Sequence, residues 1–228
     1  MLEVIATCID DVVKIVAGGG QRIELVSGLA EGGVTPSKGL VGRAVREAAS
    51  IPVMAMIRPH AQSFVYSRAD LEIMREDLET VLECGAAGVV LGALTPEKEV
   101  DRRALDYLLA VDLKGRSVTF HKALDQAADL ERAFAELQGY PIDRVLTAGG
   151  QGAIMSNLER LKRLVQAGKG KIKVLAGGGV RLDNAAAIMN SAGIEEIHVG
   201  TAVRKSASCT QPVEPLLVRR FLDICGEN

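Results

Sequence analysis

The segment LEVIATCIDD, residues 2–11, decides the fold of this chain. Its apolar run, Leu2–Cys8, predicts a buried strand, and the polar residues Asp10 and Asp11 follow at once. In doubly wound open sheets that bind nucleotides, a glycine-rich loop normally follows the first strand. The segment Cys8-Ile9-Asp10-Asp11 contains no glycine. This absence favours a closed barrel over an open sheet.

Seven more β-branched runs follow the first one. Successive runs start about 28 residues apart on average, which is the spacing of a strand plus a helix. The predicted strands are Leu2–Cys8, Arg22–Ser27, Val53–Pro59, Gly88–Leu94, Ser117–Ala123, Arg144–Gly149, Ile172–Gly177 and Glu196–Thr201. Between them, stretches such as Leu71–Leu82 carry apolar residues three and four apart, as in a helix that covers a sheet. The pattern predicts one α/β domain over residues 1–228, a TIM (β/α)₈ barrel with its functional site at the carboxyl ends of the strands.

Composition and charge exclude several classes of protein. The net charge is −2, and the 27 basic and 29 acidic residues are interspersed, so we expect no nucleic-acid partner. No apolar run approaches the ~18 residues of a membrane span, and the N-terminus lacks the basic flank of a signal peptide. The four cysteines are scattered without metal-ligand spacing, which is typical of reduced thiols. We therefore expect a cytoplasmic protein without a membrane role.

Local signals predict several helix ends. Pro36 predicts the first residue of a helix that is capped by Thr35. Gly85 and Gly168 predict the ends of the helices that precede them. The segment Glu31–Ser37 combines flexible glycines with this helix start. It fits both a mobile lid and an ordinary capped connection.

Ionisable side chains are predicted inside the barrel. Alternate residues of a strand face opposite sides, so the apolar outward positions identify the inward ones. The inward ionisable residues are Glu3, Glu24, Arg58, His121 and His198. Because buried charges need partners, they fit a structural ion-pair network or an acid/base site for an anionic substrate. Glu3 begins its strand and is predicted to be structural, whereas Arg58 and His121 come late in theirs. These two residues, with Glu24, are the predicted site.

Glycine-rich turns follow the seventh and eighth predicted strands. The first turn contains Gly177, Gly178 and Gly179, and the second contains Gly200 and Thr201. Barrels that bind phosphorylated ligands commonly hold the phosphate between these two loops, where glycine lets the backbone approach the anion. The turns predict a phosphate or other anion site, and ordinary tight strand–helix turns are the alternative.

Several segments of the chain resemble the CutC family. They are Arg22-Ile23-Glu24-Leu25, Glu31-Gly32-Gly33-Val34-Thr35-Pro36-Ser37, Met56-Ile57-Arg58-Pro59, Tyr66-Ser67, Thr119-Phe120-His121-Lys122-Ala123-Leu124-Asp125 and Arg144-Val145-Leu146-Thr147. The resemblance covers residues 2–202, and the tail 203–228, with a predicted helix at Val213–Ile224, shows little of it. It implies a TIM barrel and a cytoplasmic role in copper homeostasis.

The resemblance also implies copper(I) as the bound ion, held by cysteines near the ends of the first two strands. Soft thiolates suit Cu(I). Cys8 matches the first position, whereas Val26 stands at the second, in Glu24-Leu25-Val26. A lone Cys8 would need a further ligand. The candidates are Met54, Met56 and His121.

Two functions therefore stay open, with a copper ion or a small anion as the partner. One is copper handling, and the other is an enzyme that acts on a small anionic, phosphorylated metabolite. In the enzyme, Arg58 pairs with the anion and His121 moves a proton. Glu24 or Asp125 orients the imidazole or acts as the second acid/base. A binding scaffold without turnover is a third interpretation, and barrels of this size commonly form homo-oligomers.

Overall fold

Eight parallel strands form a closed barrel in the computed structural model, which describes residues 1–226. The strands are β1 (Leu2–Ala6), β2 (Arg22–Leu25), β3 (Val53–Met56), β4 (Gly88–Leu91), β5 (Ser117–Phe120), β6 (Arg144–Thr147), β7 (Lys173–Ala176) and β8 (Glu196–Val199). They pair in chain order, and β8 pairs with β1 to close the sheet. The predicted TIM barrel is confirmed.

A helix follows each strand and covers the outside of the barrel. The helices are α1 (Ile9–Gly18), α2 (Lys38–Glu47), α3 (Arg68–Glu83), α4 (Arg102–Leu109), α5 (Leu130–Leu137), α6 (Leu158–Gly168), α7 (Ala185–Ala192) and α8 (Pro215–Gly226). Within residues 1–226, no helix has both the length and the apolar character that a membrane span needs. Glu227 and Asn228, the end of the predicted domain and tail, lie outside the described residues.

The strands are shorter than predicted, since each has four or five residues. The last residues of the predicted runs, among them Arg58, Gly177 and Gly200, lie in the loops that follow. Arg58 illustrates the reason, because its backbone N–H donates to the Thr35 side-chain oxygen (2.9 Å) instead of to a neighbouring strand. Some predicted site residues, such as Arg58, therefore lie on the first loop residues, whereas Glu24 lies on β2.

The start of α2 differs from the prediction. Ser37 caps this helix, and its side-chain oxygen accepts a hydrogen bond from the Leu40 backbone N–H (3.3 Å). The prediction that Thr35 caps a helix beginning at Pro36 is wrong. Thr35 instead exchanges hydrogen bonds with the Arg58 backbone, so it ties the β2–α2 loop to the end of β3.

Helix ends elsewhere agree only in part. Gly85 follows α3 with a φ of 90° and is confirmed as its terminating glycine. Gly168 is the last residue inside α6, so its prediction as a residue beyond the helix is wrong; a Cβ there would lie 2.9 Å from the Phe134 ring. The last helix begins at Pro215, because Val213 is held in a bridge to Arg204.

Apolar side chains fill two regions. The outward residues of the strands, such as Ile23 and Leu25, pack against the helices in the main core. Inside the barrel a smaller cluster is formed by Ile5, Val26, Met54, Met56 and Val90. This division agrees with the alternation that the sequence predicts, and inside the barrel Glu24 lies level with Ile5 and Met54 in the strand register.

Candidate active site

A cavity of about 620 Å³ opens at the carboxyl ends of the strands. Its polar lining includes Glu24, Arg58, His121, Lys122, His198 and Thr201, its apolar lining includes Ile5, Leu29, Met56, Phe64, Leu146 and Leu182, and Gly178, Gly179 and Gly200 complete the wall. Apolar walls with a few convergent polar groups are typical of small-molecule sites. Asp125 and Gly177, which were also predicted for the site, do not line this cavity.

Three buried side chains from adjacent strands meet at the base of the cavity, where Glu24 and His198 line it and Glu3 lies behind His198. The Glu3 carboxylate contacts Nδ1 of His198 at 2.7 Å, and Nε2 of His198 lies 3.8 Å from the Glu24 carboxylate. The second Glu24 oxygen, Oε1, has no hydrogen-bond partner in the described chain. Burial raises the pKa of Glu24 to about 7, and the nearby Glu3 charge acts in the same direction, while His198 opposes both.

An ion-pair network lies beneath this group. Arg22 donates to Glu3 and, at 2.6 Å, to Glu196, and Arg144 also contacts Glu196 at 3.3 Å. Desolvation opposes the ionised form of Glu3, but His198 and Arg22 outweigh it and lower the pKa of Glu3 to about 2. The network agrees with the structural interpretation for Glu3. The sequence analysis overlooked Arg22 and Glu196, although both share the inward parity of a residue it did select.

His121 is a neutral imidazole at the end of β5. Burial, aided by the positive charge of Arg58, lowers the pKa of His121 to about 3. Its Nδ1 accepts a hydrogen bond from the Ala123 backbone N–H (3.2 Å), so the ring proton must be on Nε2. Nε2 is buried and has no partner within the described residues. The ring therefore offers one N–H donor and is a poor proton carrier at neutral pH, contrary to the expectation that it moves a proton.

Arg58 organises two loops. Its guanidinium donates to the backbone oxygens of Glu31 (3.2 Å), Gly33 (3.0 Å) and Ala61 (3.3 Å), and it stacks 4.8 Å from the centre of the Phe64 ring. These bonds hold the β2–α2 loop against the loop after β3. Of the two interpretations of segment 31–37, a mobile lid or an ordinary connection, the structure therefore favours the connection. They also occupy three of the guanidinium donors that the sequence analysis assigned to a substrate anion, while the buried Nε has no partner among the described residues.

Asp125 serves the backbone and not the cavity. Its carboxylate accepts hydrogen bonds from the Thr147 hydroxyl and from the backbone N–H groups of Ala148 (3.0 Å) and Gly150 (2.9 Å). These bonds clamp the loop after β6. Its oxygens are committed to these bonds, one of them lies 3.9 Å from Nζ of Lys122, and Asp125 does not line the cavity, so it does not fit the predicted role as an acid/base.

The turn after β7 is shaped by glycine. Gly178 and Gly179 have φ values of 88° and 100°, which side chains rarely adopt. A Cβ on Gly178 would lie 2.6 Å from Nζ of Lys122, so this ammonium group rests directly on the turn. Gly177 lies behind the wall, where a Cβ would approach Leu146 to 2.5 Å. Lys122 is thus a cation of the site that the sequence analysis did not select.

The turn after β8 forms the neighbouring part of the wall. Gly200 and Thr201 line the cavity, and a short 3₁₀ turn begins at Thr201. A Cβ on Gly200 would lie 2.9 Å from the Ile5 side chain. Small residues are therefore needed at both turns for packing reasons as well as for access to the backbone.

Cys8 lies apart from these groups. It is exposed at the end of β1, precedes α1 without capping it through its side chain, and does not line the cavity. Val26, at the second position where the family resemblance implies a cysteine, is buried inside the barrel. Among the described residues, the one group of at least three His, Cys, Asp or Glu side chains close enough to share an ion is Glu3, Glu24 and His198, which contains no thiol.

The fold and the cavity together define a TIM-barrel protein with a small-molecule site at its carboxyl-terminal rim. Comparison with known proteins is more specific, since the model of the CutC family matches residues 1–203. The human copper homeostasis protein cutC homolog is 37% identical over 87% of this chain and 72% of its own length. A family protein CutC from Rhizobium meliloti is 38% identical over 91% of this chain and 84% of its own. The chain belongs to the CutC family.

A solved structure agrees with this assignment. The crystal structure of CutC from Streptococcus agalactiae superposes with a TM-score of 0.83 at 31% identity, covering 88% of this chain and 97% of that one. The agreement covers the barrel that carries the cavity, so the resemblance read from the sequence is confirmed for both family and fold.

Proposed function

We propose that this CutC homologue binds a small anionic, phosphorylated metabolite and transfers a proton on it. The observation that carries the proposal is a single cavity whose lining combines a buried carboxyl group and two imidazoles with a lysine and two glycine turns. An enzyme needs groups that hold the substrate and groups that react with it in one cavity, and this lining contains both kinds.

The anion end is formed by the turns after β7 and β8. Lys122 supplies positive charge directly at Gly178. Asn184 holds the first turn in shape, because its amide donates to the Gly179 carbonyl (3.0 Å) and accepts from the Arg181 backbone N–H (2.8 Å). A phosphate on this wall would meet backbone and ammonium donors together.

The reactive end combines Glu24 with His121. A carboxyl group whose pKa is raised by burial to about 7 can accept or release a proton near neutral pH. A neutral imidazole that presents Nε2–H can donate a hydrogen bond to a carbonyl oxygen without giving up its proton. This pairing suits removal of a proton beside a carbonyl group.

Titration with inorganic phosphate tests the anion site. We expect calorimetry to detect phosphate binding to the native protein and at least about a tenfold loss of affinity in Lys122→Gln, as expected when a charge-assisted contact is removed. Lys162→Gln, on the exposed face of α6, is the matched control and should bind as the native protein does. Equal affinity in all three proteins would contradict the proposed anion site.

Copper binding is the finer function that the relatives' name suggests, and the donor set gives it little support. Cu(I) prefers sulfur ligands, but Cys8 is a lone exposed thiol and Met54 is buried in the barrel interior. His121 and Met56 line the cavity, which Cys8 does not reach. The residues do not assemble a Cu(I) site around Cys8.

A competition experiment tests whether Cys8 binds Cu(I), as the relatives' name suggests, or does not, as the donor set indicates. Reduced protein is titrated with Cu(I) in the presence of a chelator, beside Cys8→Ser and a control Cys84→Ser. We expect no stoichiometric binding that depends on Cys8. Tight one-to-one binding that is lost only in Cys8→Ser would establish copper handling and refute our assessment of the donor set.

A further inference from the structure

The cavity floor contains a line of three ionisable groups. Glu3 on β1, His198 on β8 and Glu24 on β2 come from neighbouring strands, with Glu3 opposite His198 in the strand register. All three side chains are at least 94% buried. Barrel closure therefore places two carboxyl groups on opposite sides of one imidazole.

The contacts determine where the first imidazole proton lies. One Glu3 oxygen accepts from Arg22, and the other lies 2.7 Å from Nδ1 of His198. Because an ionised carboxylate can only accept, Nδ1 must carry a proton. The remaining ring atom, Nε2, faces the Glu24 carboxylate at 3.8 Å, which is beyond hydrogen-bond range.

A second proton must lie between His198 and Glu24. If Nε2 were bare and Glu24 ionised, a lone pair and a carboxylate would face each other in a buried space without compensation, which is costly. The positive charges nearby are already committed, since Arg22 binds both Glu3 and Glu196. One proton on either Nε2 or Glu24 removes this conflict.

We propose that His198 and Glu24 hold this one proton between them, on Nε2 of His198 when Glu24 is ionised, and that the ionised Glu24 takes a second proton from the substrate and returns it while the imidazolium of His198 positions and stabilises the carboxylate. The inference rests on the proposed function and assigns the roles of Glu24 and His198 in the proton transfer. Glu24 as a carboxylate takes a proton from the carbon beside a carbonyl, the C–H electron pair forms the carbon–carbon double bond, and the carbonyl pair moves to oxygen. His121 Nε2–H stabilises that oxygen, and Glu24 returns the proton to carbon.

The charged groups around the pair act in opposing directions. Burial lowers the pKa of His198, but the Glu24 and Glu3 carboxylates outweigh it and raise that pKa, with Lys122 acting against them. For Glu24, the imidazolium of His198 and the more distant Arg22 oppose burial and the Glu3 charge. Removing His198 should therefore leave Glu24 protonated to higher pH.

Nitrogen NMR tests the shared proton without a substrate. The chain has three histidines, His60, His121 and His198, so single substitutions assign every ring signal. In metal-free native protein we expect both His198 nitrogens to carry protons at pH 6. In Glu24→Gln the loss of the second proton should move down by about one pH unit or more, since a buried opposite charge is removed. Glu97→Gln, in an exposed loop, should leave the titration unchanged.

Infrared spectroscopy tests the role of His198. At pH 7 we expect His198→Gln to increase a protonated carboxyl band that disappears in the double variant with Glu24→Gln. A purely structural histidine would not change this band. The proposal is overturned if native His198 keeps a bare Nε2 while the infrared spectrum shows Glu24 ionised from pH 5 to pH 8, or if added Zn²⁺ occupies the gap in place of the proton. The phosphate titration at Lys122 is independent of these results, so the two proposals can fail separately.

Discussion

Lowering the pH should destabilise the protein through His121. The unfolded chain takes up a proton on this residue near the ordinary histidine pKa of 6.5, whereas burial and Arg58 lower the pKa of His121 in the folded protein to about 3. Below pH 6.5 the unfolded state thus binds more protons than the folded state, and the free energy of unfolding decreases as the pH is lowered. At pH 5 the loss from this residue alone is about 2 kcal/mol relative to pH 7.

The substitution His121→Asn isolates this contribution. Asparagine cannot titrate, and its side-chain oxygen can still accept from the Ala123 N–H that now binds Nδ1. Urea unfolding of both proteins at pH 7 and pH 5 gives four free energies. We expect the native protein to lose about 2 kcal/mol more than the variant between these two pH values. Equal losses would refute a neutral buried imidazole, and with it the assignment of Nε2–H as a donor in the cavity.

Three further changes test the fold around the site. Gly88→Ala should destabilise the barrel by about 1–3 kcal/mol in urea unfolding, because the new Cβ would lie 2.2 Å from the Ser117 backbone oxygen. Gly39→Ala, with open space at an exposed helical position, should instead gain about 0.5–1 kcal/mol, and a loss as large as that of Gly88→Ala would contradict the packing argument. Arg204→Met should lower the free energy of unfolding by about 3–5 kcal/mol, since it leaves the buried Asp11 carboxylate without its cation; an unchanged midpoint would refute a contribution from this pair.

Much of the fold could be predicted because successive residues of a barrel strand alternate between the face that packs against the helices and the face inside the barrel. Ile23 and Leu25 are apolar and Glu24 is not, and the structure places them on opposite faces as this pattern requires. Strand ends could not be read in the same way. Arg58 continues the alternation of β3, yet its backbone binds Thr35 in another loop, and this tertiary contact has no local sequence signal.

The site was harder to predict than the fold. The alternation along a strand shows which way a side chain points, but it does not show which group that side chain contacts. It identified His121 and Arg58 as inward residues. It could not show that a backbone N–H binds Nδ1 of His121 or that backbone oxygens bind Nη1 and Nη2 of Arg58. It likewise could not show that Asp125, four residues after His121, turns to the next loop. Lys122 was not predicted as a site residue, because only the folded turn after β7 brings its ammonium group to Gly178.

The order of charges along the barrel axis argues for chemistry at Glu24. Lower in the barrel, Arg22 binds Glu3 and Glu196, and together with His198 it lowers the pKa of Glu3, so the Glu3 carboxylate stays ionised. Glu24 stands above them with one oxygen unpartnered, beside an imidazole that is itself fixed by Glu3. An unpaired buried acceptor costs about 1–3 kcal/mol, and this one belongs to a carboxyl group that lines the cavity. The ion pairs of Arg22 hold Glu3, which in turn fixes the imidazole of His198. The carboxyl group of Glu24, which has no ion-pair partner of this kind, lines the cavity.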